Sequence, residues 1–351
     1  MTGPKPTAIK TLRVRVRDKH GSVLRAMACE ANQVWNYCAE LRERVARERG
    51  QWLSGYDLQQ YTNGASKEFE LIGSPTVQQV CEDYAGKCRK AGRLRLRWRK
   101  SFGERRSLGW VPFKARAASW KGGQVFFAGH HFKVWDSYGL SGFRFRGGCF
   151  AEDARGRWYF CVAVEVPVAM SRGQGAVGID LGLKSAATCS DGTALVSREY
   201  QGIEAKLARA QRAGRKRVAR ALHAKARNRR ADAQHKFSTA LVRRYGEIYV
   251  GNVSGTKLTK TRMAKATLDA SWASLKRMLE YKARQRGILY REIDEAYTTR
   301  GCSDCGSLSG PHGLRGLSVR DWQCVECGAR HDRDVNAARN ICRLGAGHRA
   351  P

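Results

Sequence analysis

Four cysteines near the carboxyl end of the chain occur as two matched pairs. Cys302 and Cys305 form one CxxC pair, Cys324 and Cys327 form the other, and a glycine follows each pair. Four thiolates at this spacing can complete the tetrahedral shell of a zinc ion, and a closed shell of this kind is structural. The alternative is four reduced thiols in loops, which two evenly matched pairs disfavour. We therefore predict a structural zinc site.

An acidic segment follows the second cysteine pair and opens the last helix that we predict. Residues 332–338 read DRDVNAA, so acidic side chains stand where the positive end of a helix dipole lies. One interpretation is that they only cap the helix, because aspartate is favoured at that position. The other interpretation gives Asp334 a part in chemistry.

The cysteine pairs followed by HDRDVNAARNI resemble the carboxyl end of the TnpB family. TnpB proteins are RNA-guided nucleases of insertion sequences and are related to the miniature type V CRISPR effectors. The resemblance implies an RNase H-like α/β domain of the RuvC type, with a zinc ribbon inserted before its last helix. It also implies that Asp334 is the last catalytic carboxylate of that domain.

A second acidic residue lies in a predicted buried strand earlier in the chain. Residues 176–182 read AVGIDLG, residues 186–190 extend the strand, and Asp191-Gly192 predicts a hairpin turn. Small residues flank Asp180, so another backbone or a ligand can approach its carboxylate. An acid at a strand end can also simply cap a loop. The segment resembles the first RuvC motif, and this implies that Asp180 is a metal ligand.

The second catalytic carboxylate of the family is missing from its usual position. In the family the strand that matches residues 247–252 ends in a glutamate, whereas this chain has Gly251 and Asn252 there. A predicted helix over 263–286 and a strand over 287–295 follow, and such a unit places two parallel strands side by side. Because neighbouring strands lie about 4.8 Å apart, Glu295 can reach the missing position.

These carboxylates predict a second metal site. Asp180, Glu295 and Asp334 would supply hard oxygen ligands, which select Mg²⁺ over zinc, and two Mg²⁺ ions would support phosphodiester hydrolysis. Glu292 and Asp294 are alternatives to Glu295, although alternation places them on the other face of the strand. A cluster of acids that only faces solvent is the remaining interpretation.

The elements before the nuclease-like segment follow two kinds of periodicity. Residues 11–17 alternate like a strand, residues 23–48 and 56–92 have helical spacing, and RLRLRWRK at 93–100 returns to alternation. Short strands are predicted at 108–113, 125–128, 131–135, 142–146 and 157–166. The pattern predicts a basic β-barrel with a helical insertion. The resemblance implies that these are a wedge barrel and a recognition lobe.

The changes of pattern predict the following domain boundaries. The first barrel strand covers 1–20, the helical recognition lobe 21–92, the wedge barrel 93–172, the RuvC domain 173–300, the zinc ribbon 301–330, and the final RuvC motif with its tail 331–351.

The charge of the chain predicts binding to nucleic acid. Its 351 residues carry a formal charge of +34, with 13 Lys/Arg against 2 acids in residues 91–150 and 14 against 3 in residues 201–250. A solvated basic face is the alternative, but such faces usually mix signs. Residues 201–245 predict a long basic helical stretch. The predicted phosphate contacts are Arg93, Arg95, Arg97, Arg99, Lys100, Arg212, Arg217, Arg220, Arg227 and Arg230.

The leading hypothesis is an RNA-guided DNA endonuclease whose partners are a guide RNA and a double-stranded DNA target. A nuclease-dead, RNA-guided DNA-binding protein is the main alternative, because the usual glutamate is absent. A zinc-ribbon nucleic-acid binder without a guide would leave the Asp180 strand without a function. The polar first ten residues and the lack of a long apolar run favour a cytoplasmic, nucleoid-associated protein. We expect neither a membrane partner nor a small-molecule cofactor.

Overall fold

The chain divides into two compact units. The computed structural model describes residues 7–168, 173–196, 202–253, 271–316 and 318–347. One unit is Thr7–Val166, and the other is formed by the chain from Pro167 onward. Each unit is described by itself below.

The first unit contains two sheets. A five-stranded sheet has the order β2-β7-β8-β1-β6, and a three-stranded sheet has the order β3-β4-β5. The first strand therefore lies beside the last strand of the unit, as the predicted helical insertion requires. The strands are β1 (Thr7–Val16), β2 (Trp110–Phe113), β3 (Ala118–Lys121), β4 (Gln124–Phe127), β5 (His130–Phe132), β6 (Val134–Trp135), β7 (Phe145–Glu152) and β8 (Trp158–Pro167).

Three helices join these sheets around one buried core. They are α1 (Gly21–Arg49), α2 (Gly55–Tyr61) and α3 (Ser74–Ala91), with short 3-10 turns at Asp18–His20, Ala65–Glu68 and Leu140–Gly142. Leu24 and Tyr84 from the helices belong to the same buried cluster as the phenylalanines of the sheets. Phe113 stacks on Phe160 with ring centroids 5.6 Å apart. Many of the aromatic residues of the first unit are therefore core residues.

The strand expected at residues 93–100 does not form. This segment pairs with no strand, and side chains of α1 bind its backbone instead. Asn36 donates to the carbonyl of Arg99 at 3.0 Å and accepts from its N–H at 2.8 Å, and Trp35 Nε1 donates to the carbonyl of Arg97 at 3.2 Å. The expectation was wrong because polar side chains of a helix replace a neighbouring strand as hydrogen-bond partners.

The second unit contains a five-stranded sheet in the order β11-β10-β9-β12-β13. Its strands are β9 (Ala176–Asp180), β10 (Ala187–Cys189), β11 (Ala194–Leu195), β12 (Glu247–Gly251) and β13 (Leu289–Ile293). The parallel pairing of β12 with β13 confirms the predicted arrangement. Strand β12 also pairs in parallel with β9 on its other side. Residues 186–190 do not extend β9 as expected. They fold back as β10, antiparallel to β9, and the hairpin at Asp191-Gly192 leads into β11.

The helices of the second unit are α4 (Glu204–Arg212), α5 (Lys216–Arg244), α6 (Trp272–Arg286), α7 (Gly313–Gly316) and α8 (Arg333–Gly345). The predicted basic stretch is therefore two helices, separated at Gly214, whose φ of +62° suits glycine. Residues 263–270 of the helix predicted over 263–286 lie outside the described residues. The two short strands β14 (Asp321–Gln323) and β15 (Arg330–Asp332) form a hairpin that flanks the second cysteine pair and leads into α8.

Helix α8 packs closely against β9, and a glycine permits this approach. A Cβ atom at Gly178 would lie 2.0 Å from the carbonyl oxygen of Ala338 and 2.5 Å from the amide nitrogen of Cys342. The backbone of α8 therefore occupies the space that any side chain at position 178 would need. This contact brings the start of α8 close to the end of β9, where Asp180 lies.

Candidate functional site

The four cysteines converge on one point. Their sulfur atoms all lie within 4.8 Å of one another, with Cys302 and Cys327 3.7 Å apart and Cys305 and Cys324 3.6 Å apart. A tetrahedral zinc ion with Zn–S bonds of about 2.3 Å separates its sulfur ligands by about 3.8 Å. The cluster can therefore bind a metal ion, and its dimensions and donor type fit zinc.

Hydrogen-bond donors surround the cysteine sulfurs. Ser307 and Ser309 lie 3.2 and 3.1 Å from the sulfur of Cys324, and their hydrogen bonds lower the pKa of this thiol to about 5. His331 Nε2 lies 3.1 Å from the sulfur of Cys302 and can donate to a thiolate there. Such donors stabilise the metal-binding form of cysteine. These three residues were not predicted from the sequence. The one signal there was the position of the two serines soon after the first CxxC pair.

Three acidic residues stand at the carboxyl edge of the sheet in the second unit. Asp180 is the last residue of β9, Asp334 is in the first turn of α8, and Glu295 follows β13 by two residues. Burial raises the pKa of Asp180 to about 7, and the negative charges of Asp334 and Glu295 contribute to this rise. A buried aspartate whose ionisation is opposed by neighbouring acids is suited to a cation. The donor set is the one that Mg²⁺ prefers.

Glu295 fills the space beside the position where the family has its glutamate. A Cβ atom built on Gly251 would lie 2.8 Å from Oε2 of Glu295 and 3.6 Å from its Cβ. The side chain of Glu295 thus crosses from the end of β13 to the end of β12. Burial raises the pKa of Glu295, while the nearby charge of Lys276 opposes this shift.

The alternative acids near Glu295 have other partners. Glu292 accepts from Lys276 at 2.8 Å and from the hydroxyl of Tyr290 at 3.3 Å. Asp294 accepts from the N–H of Ala296 at 3.2 Å, which is a local turn contact. The charge of Glu295, in contrast, contributes to the raised pKa of Asp180.

Asp332 caps α8 and leaves Asp334 available for another partner. The carboxylate of Asp332 accepts from the N–H of Val335 at 2.9 Å, so the capping function belongs to Asp332. Asp334 instead accepts from NH1 of Arg320 at 3.0 and 3.1 Å. Arg320 was not predicted, because only the fold of the ribbon brings residue 320 back to the start of α8.

The predicted phosphate-contact residues differ in what they do within the protein. Arg93, Arg97 and Lys100 are exposed, and so are Arg212, Arg217, Arg220 and Arg227 on α4 and α5. Arg95 pairs with Glu43. Arg99 donates from Nε to Asn32 at 2.6 Å, and burial lowers its pKa. Arg230 is half-buried and makes a contact of its own.

Comparison with known proteins agrees with this fold. A family profile described as "Cas12f1-like, TNB domain" matches residues 272–341, and one described as "Probable transposase" matches residues 159–262. A "Putative RNA-guided DNA endonuclease" of Streptomyces pristinaespiralis is 36% identical over 212 residues, 56% of this chain and 52% of that protein. The "Putative RNA-guided DNA endonuclease InsQ" of Escherichia coli (strain K12) is 30% identical over 224 residues, 55% of this chain and 54% of that protein.

A solved structure shows the same fold along almost the whole chain. The protein in "Cryo-EM structure of the Cas12f1-sgRNA-target DNA complex" superposes with a TM-score of 0.62 at 13% identity, covering 96% of this chain and 99% of that one. By sequence, however, this chain spans about half the length of the two curated relatives.

The second unit is an RNase H-like domain with an inserted four-cysteine ribbon, which is the RuvC arrangement. The chain resembles the TnpB proteins and the miniature type V effectors of the Cas12f1 kind, and this confirms the resemblance seen in the sequence. Within the described residues, no helix combines the length and the apolar character that crossing a membrane requires.

Proposed function

We propose that this chain is an RNA-guided DNA endonuclease that hydrolyses DNA phosphodiesters at a RuvC site. The observation that carries the proposal is the carboxylate of Glu295, which lies over Gly251 and adds its charge to those of Asp180 and Asp334. Glu295 thus gives the site a third acidic residue although β12 itself ends in glycine. The names of the curated relatives support the reaction class.

Asp180, Glu295 and Asp334 are the residues that would hold two Mg²⁺ ions. Bound Mg²⁺ would activate a water molecule and stabilise the leaving oxygen. Asp180 sits on a central strand and Asp334 on the helix packed against it, so the two carboxylates are fixed by the fold. Arg320 orients Asp334 and places a positive charge beside the acids, where the phosphate of a substrate would need one.

The cysteine cluster would serve as a structural zinc site in this protein. Strand β15 ends at Asp332 and α8 begins at Arg333, so the ribbon leads directly into the helix that carries Asp334. A metal that fixes the ribbon therefore also fixes the start of α8.

A guide RNA and a matched DNA duplex are the proposed partners. The exposed arginines on α4 and α5 can contact phosphates without reading bases, which suits a protein whose guide supplies the sequence specificity. We propose that the chain acts in the cytoplasm, which its bacterial relatives support, and that it associates there with the nucleoid.

A guided DNA-binding protein without nuclease activity is the second candidate. The observation in its favour is that Gly251 and Asn252 stand where the family has its glutamate. Both candidates bind RNA and matched DNA, and they differ only in cleavage.

Reconstitution separates the two candidates. We expect RNA to copurify with the chain and the complex to nick matched linear DNA in Mg²⁺, whereas an Asp180→Ala complex binds the same DNA without nicking it. If the wild-type complex binds matched DNA but leaves it intact in both Mg²⁺ and Mn²⁺, the binding protein is the correct assignment. Failure to bind RNA or matched DNA at all would reject both.

A further inference from the structure

Two asparagines of α8 face the interior of the second unit one helical turn apart. Asn336 is 1% exposed and Asn340 is 2% exposed. Buried amides require hydrogen-bond partners, so their contacts define what this face of the helix holds. Neither residue lies among the predicted metal ligands.

Both amides bind the same two carbonyl groups. Nδ2 of Asn340 donates to the carbonyls of Thr298 and Gly301 at 2.8 and 2.7 Å, and Nδ2 of Asn336 donates to the same carbonyls at 3.4 and 2.8 Å. Oδ1 of Asn336 accepts from the N–H of Ser303 at 2.8 Å. The two side chains therefore fasten residues 298–303 to the helix that carries Asp334.

The segment that these asparagines bind, residues 298–303, also binds the backbone of Glu295. The N–H and the hydroxyl of Thr298 both donate to the carbonyl of Glu295, at 3.2 and 2.8 Å. Between them Tyr297 adopts a φ of +62°, a conformation that a residue with a side chain adopts only when its surroundings impose it. Strand β13 ends at Ile293, so Glu295 lies beyond the printed end of its strand, and the backbone N–H of Val253 donates to its carboxylate.

We propose that Asn336 and Asn340 are positioning residues that hold the carboxylate of Glu295 against Asp180 and Asp334. A glutamate on the usual strand would be placed by the sheet itself, whereas the backbone of Glu295 lies beyond its strand and is held by the turn that α8 binds. The proposal rests on the proposed function, because it gives these asparagines a task in the same carboxylate site.

The test measures metal binding directly and does not depend on cleavage. In full-length, zinc-loaded protein, Mn²⁺ binding is followed by the electron paramagnetic resonance of free Mn²⁺, with Asp180→Ala as the baseline. Asn340→Leu keeps the branched shape and the number of non-hydrogen atoms of the side chain and removes both N–H donors, and we expect Mn²⁺ affinity to fall by about tenfold. Arg339→Gln, an exposed change on the same helix, is the matched control and should leave the affinity unchanged.

A double-mutant cycle with Glu295→Gln separates positioning from general stability. If Asn340 acts through Glu295, Asn340→Leu should weaken Mn²⁺ binding little further once Glu295 is an amide. An equal loss of affinity in both backgrounds, or an unchanged affinity with only a lower melting temperature, would overturn the proposal. Thr298→Val, which removes only the hydroxyl contact to Glu295, should give a smaller loss if Asn340→Leu does not fold.

Failure of this positioning proposal can be distinguished from failure of the proposed nuclease function. If the wild-type complex never cuts DNA but Mn²⁺ affinity depends on Asn340 through Glu295, the positioning stands and the nuclease assignment fails. If the complex cuts DNA and Asn340→Leu binds Mn²⁺ as the wild type does, the assignment stands and the positioning fails.

Discussion

Glu295 occupies space beside Gly251, the position at which the resemblance to the TnpB family implies a glutamate. A side chain at position 251 would meet the carboxylate of Glu295, which would have to shift to make room. Glu295→Ala should therefore abolish nicking of matched DNA, and the double variant Gly251→Glu/Glu295→Ala should regain at least about tenfold of the lost rate. The rate of Mg²⁺-dependent nicking under single-turnover conditions is the measurement.

The matched control for this exchange is Gly251→Gln/Glu295→Ala, which has the same size without the charge. It should stay inactive while still binding guide and target. Nicking by Glu295→Ala at the wild-type rate, or equal inactivity of the two double variants, would show that Glu295 is not the relocated ligand.

Asp180 gives the metal-free protein a dependence on pH with a predictable sign. Its pKa is raised from the ordinary aspartate value of 3.8 to about 7 in the fold. Between these values the unfolded chain has released a proton that the folded chain retains, so this group lowers stability as pH rises. Asp180→Asn should therefore melt a few degrees higher than the wild type at pH 8 without Mg²⁺, and the difference should shrink toward pH 5.

Adding Mg²⁺ provides the control for this prediction. Because a cation relieves the repulsion among the acids, Mg²⁺ should raise the melting temperature of the wild type but not of Asp180→Asn. A lower melting temperature for Asp180→Asn at pH 8 would contradict the repulsion inferred for the carboxylate cluster.

At the scale of elements, the ribbon and α8 form one continuous piece of chain. Cys324→Ser should lose the bound zinc, because three thiolates cannot close the shell, and α8 should loosen at its start. Zinc content by atomic absorption and amide hydrogen exchange of α8 are the measurements. Cys342→Ser is the matched control, since Cys342 lies on α8 outside the cluster, and it should retain zinc. A zinc-free wild-type protein of undiminished stability would contradict this assignment.

The elements also show why parts of the site were predictable and parts were not. The four-cysteine cluster could be predicted from spacing along the chain, because CxxC turns have a fixed geometry. The parallel pairing of β12 with β13 could be predicted in the same way, because strand–helix–strand units also have a fixed geometry. Arg320, Asn336 and Asn340 could not be found this way, since their partners are set by the path of irregular loops. The wrong prediction of a strand at residues 93–100 has a related cause. Its alternating pattern suggests hydrogen bonds to a neighbouring strand, whereas Asn36 and Trp35 of α1 make hydrogen bonds to this backbone instead.

At the scale of the whole molecule, a charge of +34 opposes the compact state by self-repulsion, which bound anions would relieve. The exposed arginines at 212, 217, 220 and 227 form no ion pair with an acid in the parts of the chain that the structure describes. By contrast, Lys236 pairs with Asp232 at 2.7 Å, and Arg284 pairs with Glu280 at 3.4 Å. We expect the arginines without an acidic partner to contact phosphates, and the paired Lys236 and Arg284 to contribute less to nucleic-acid binding.

This contrast gives a prediction about salt dependence. Arg217→Gln/Arg220→Gln should weaken RNA binding and reduce the slope of log affinity against log salt by somewhat under one per lost phosphate contact. Lys236→Gln/Arg284→Gln removes the same formal charge from the same unit and should change the slope much less. Fluorescence anisotropy with labelled RNA, repeated over a series of salt concentrations, measures both slopes. Equal slopes for the two variants would mean that net charge alone drives binding, and an unchanged slope for Arg217→Gln/Arg220→Gln would make α5 a solvated face.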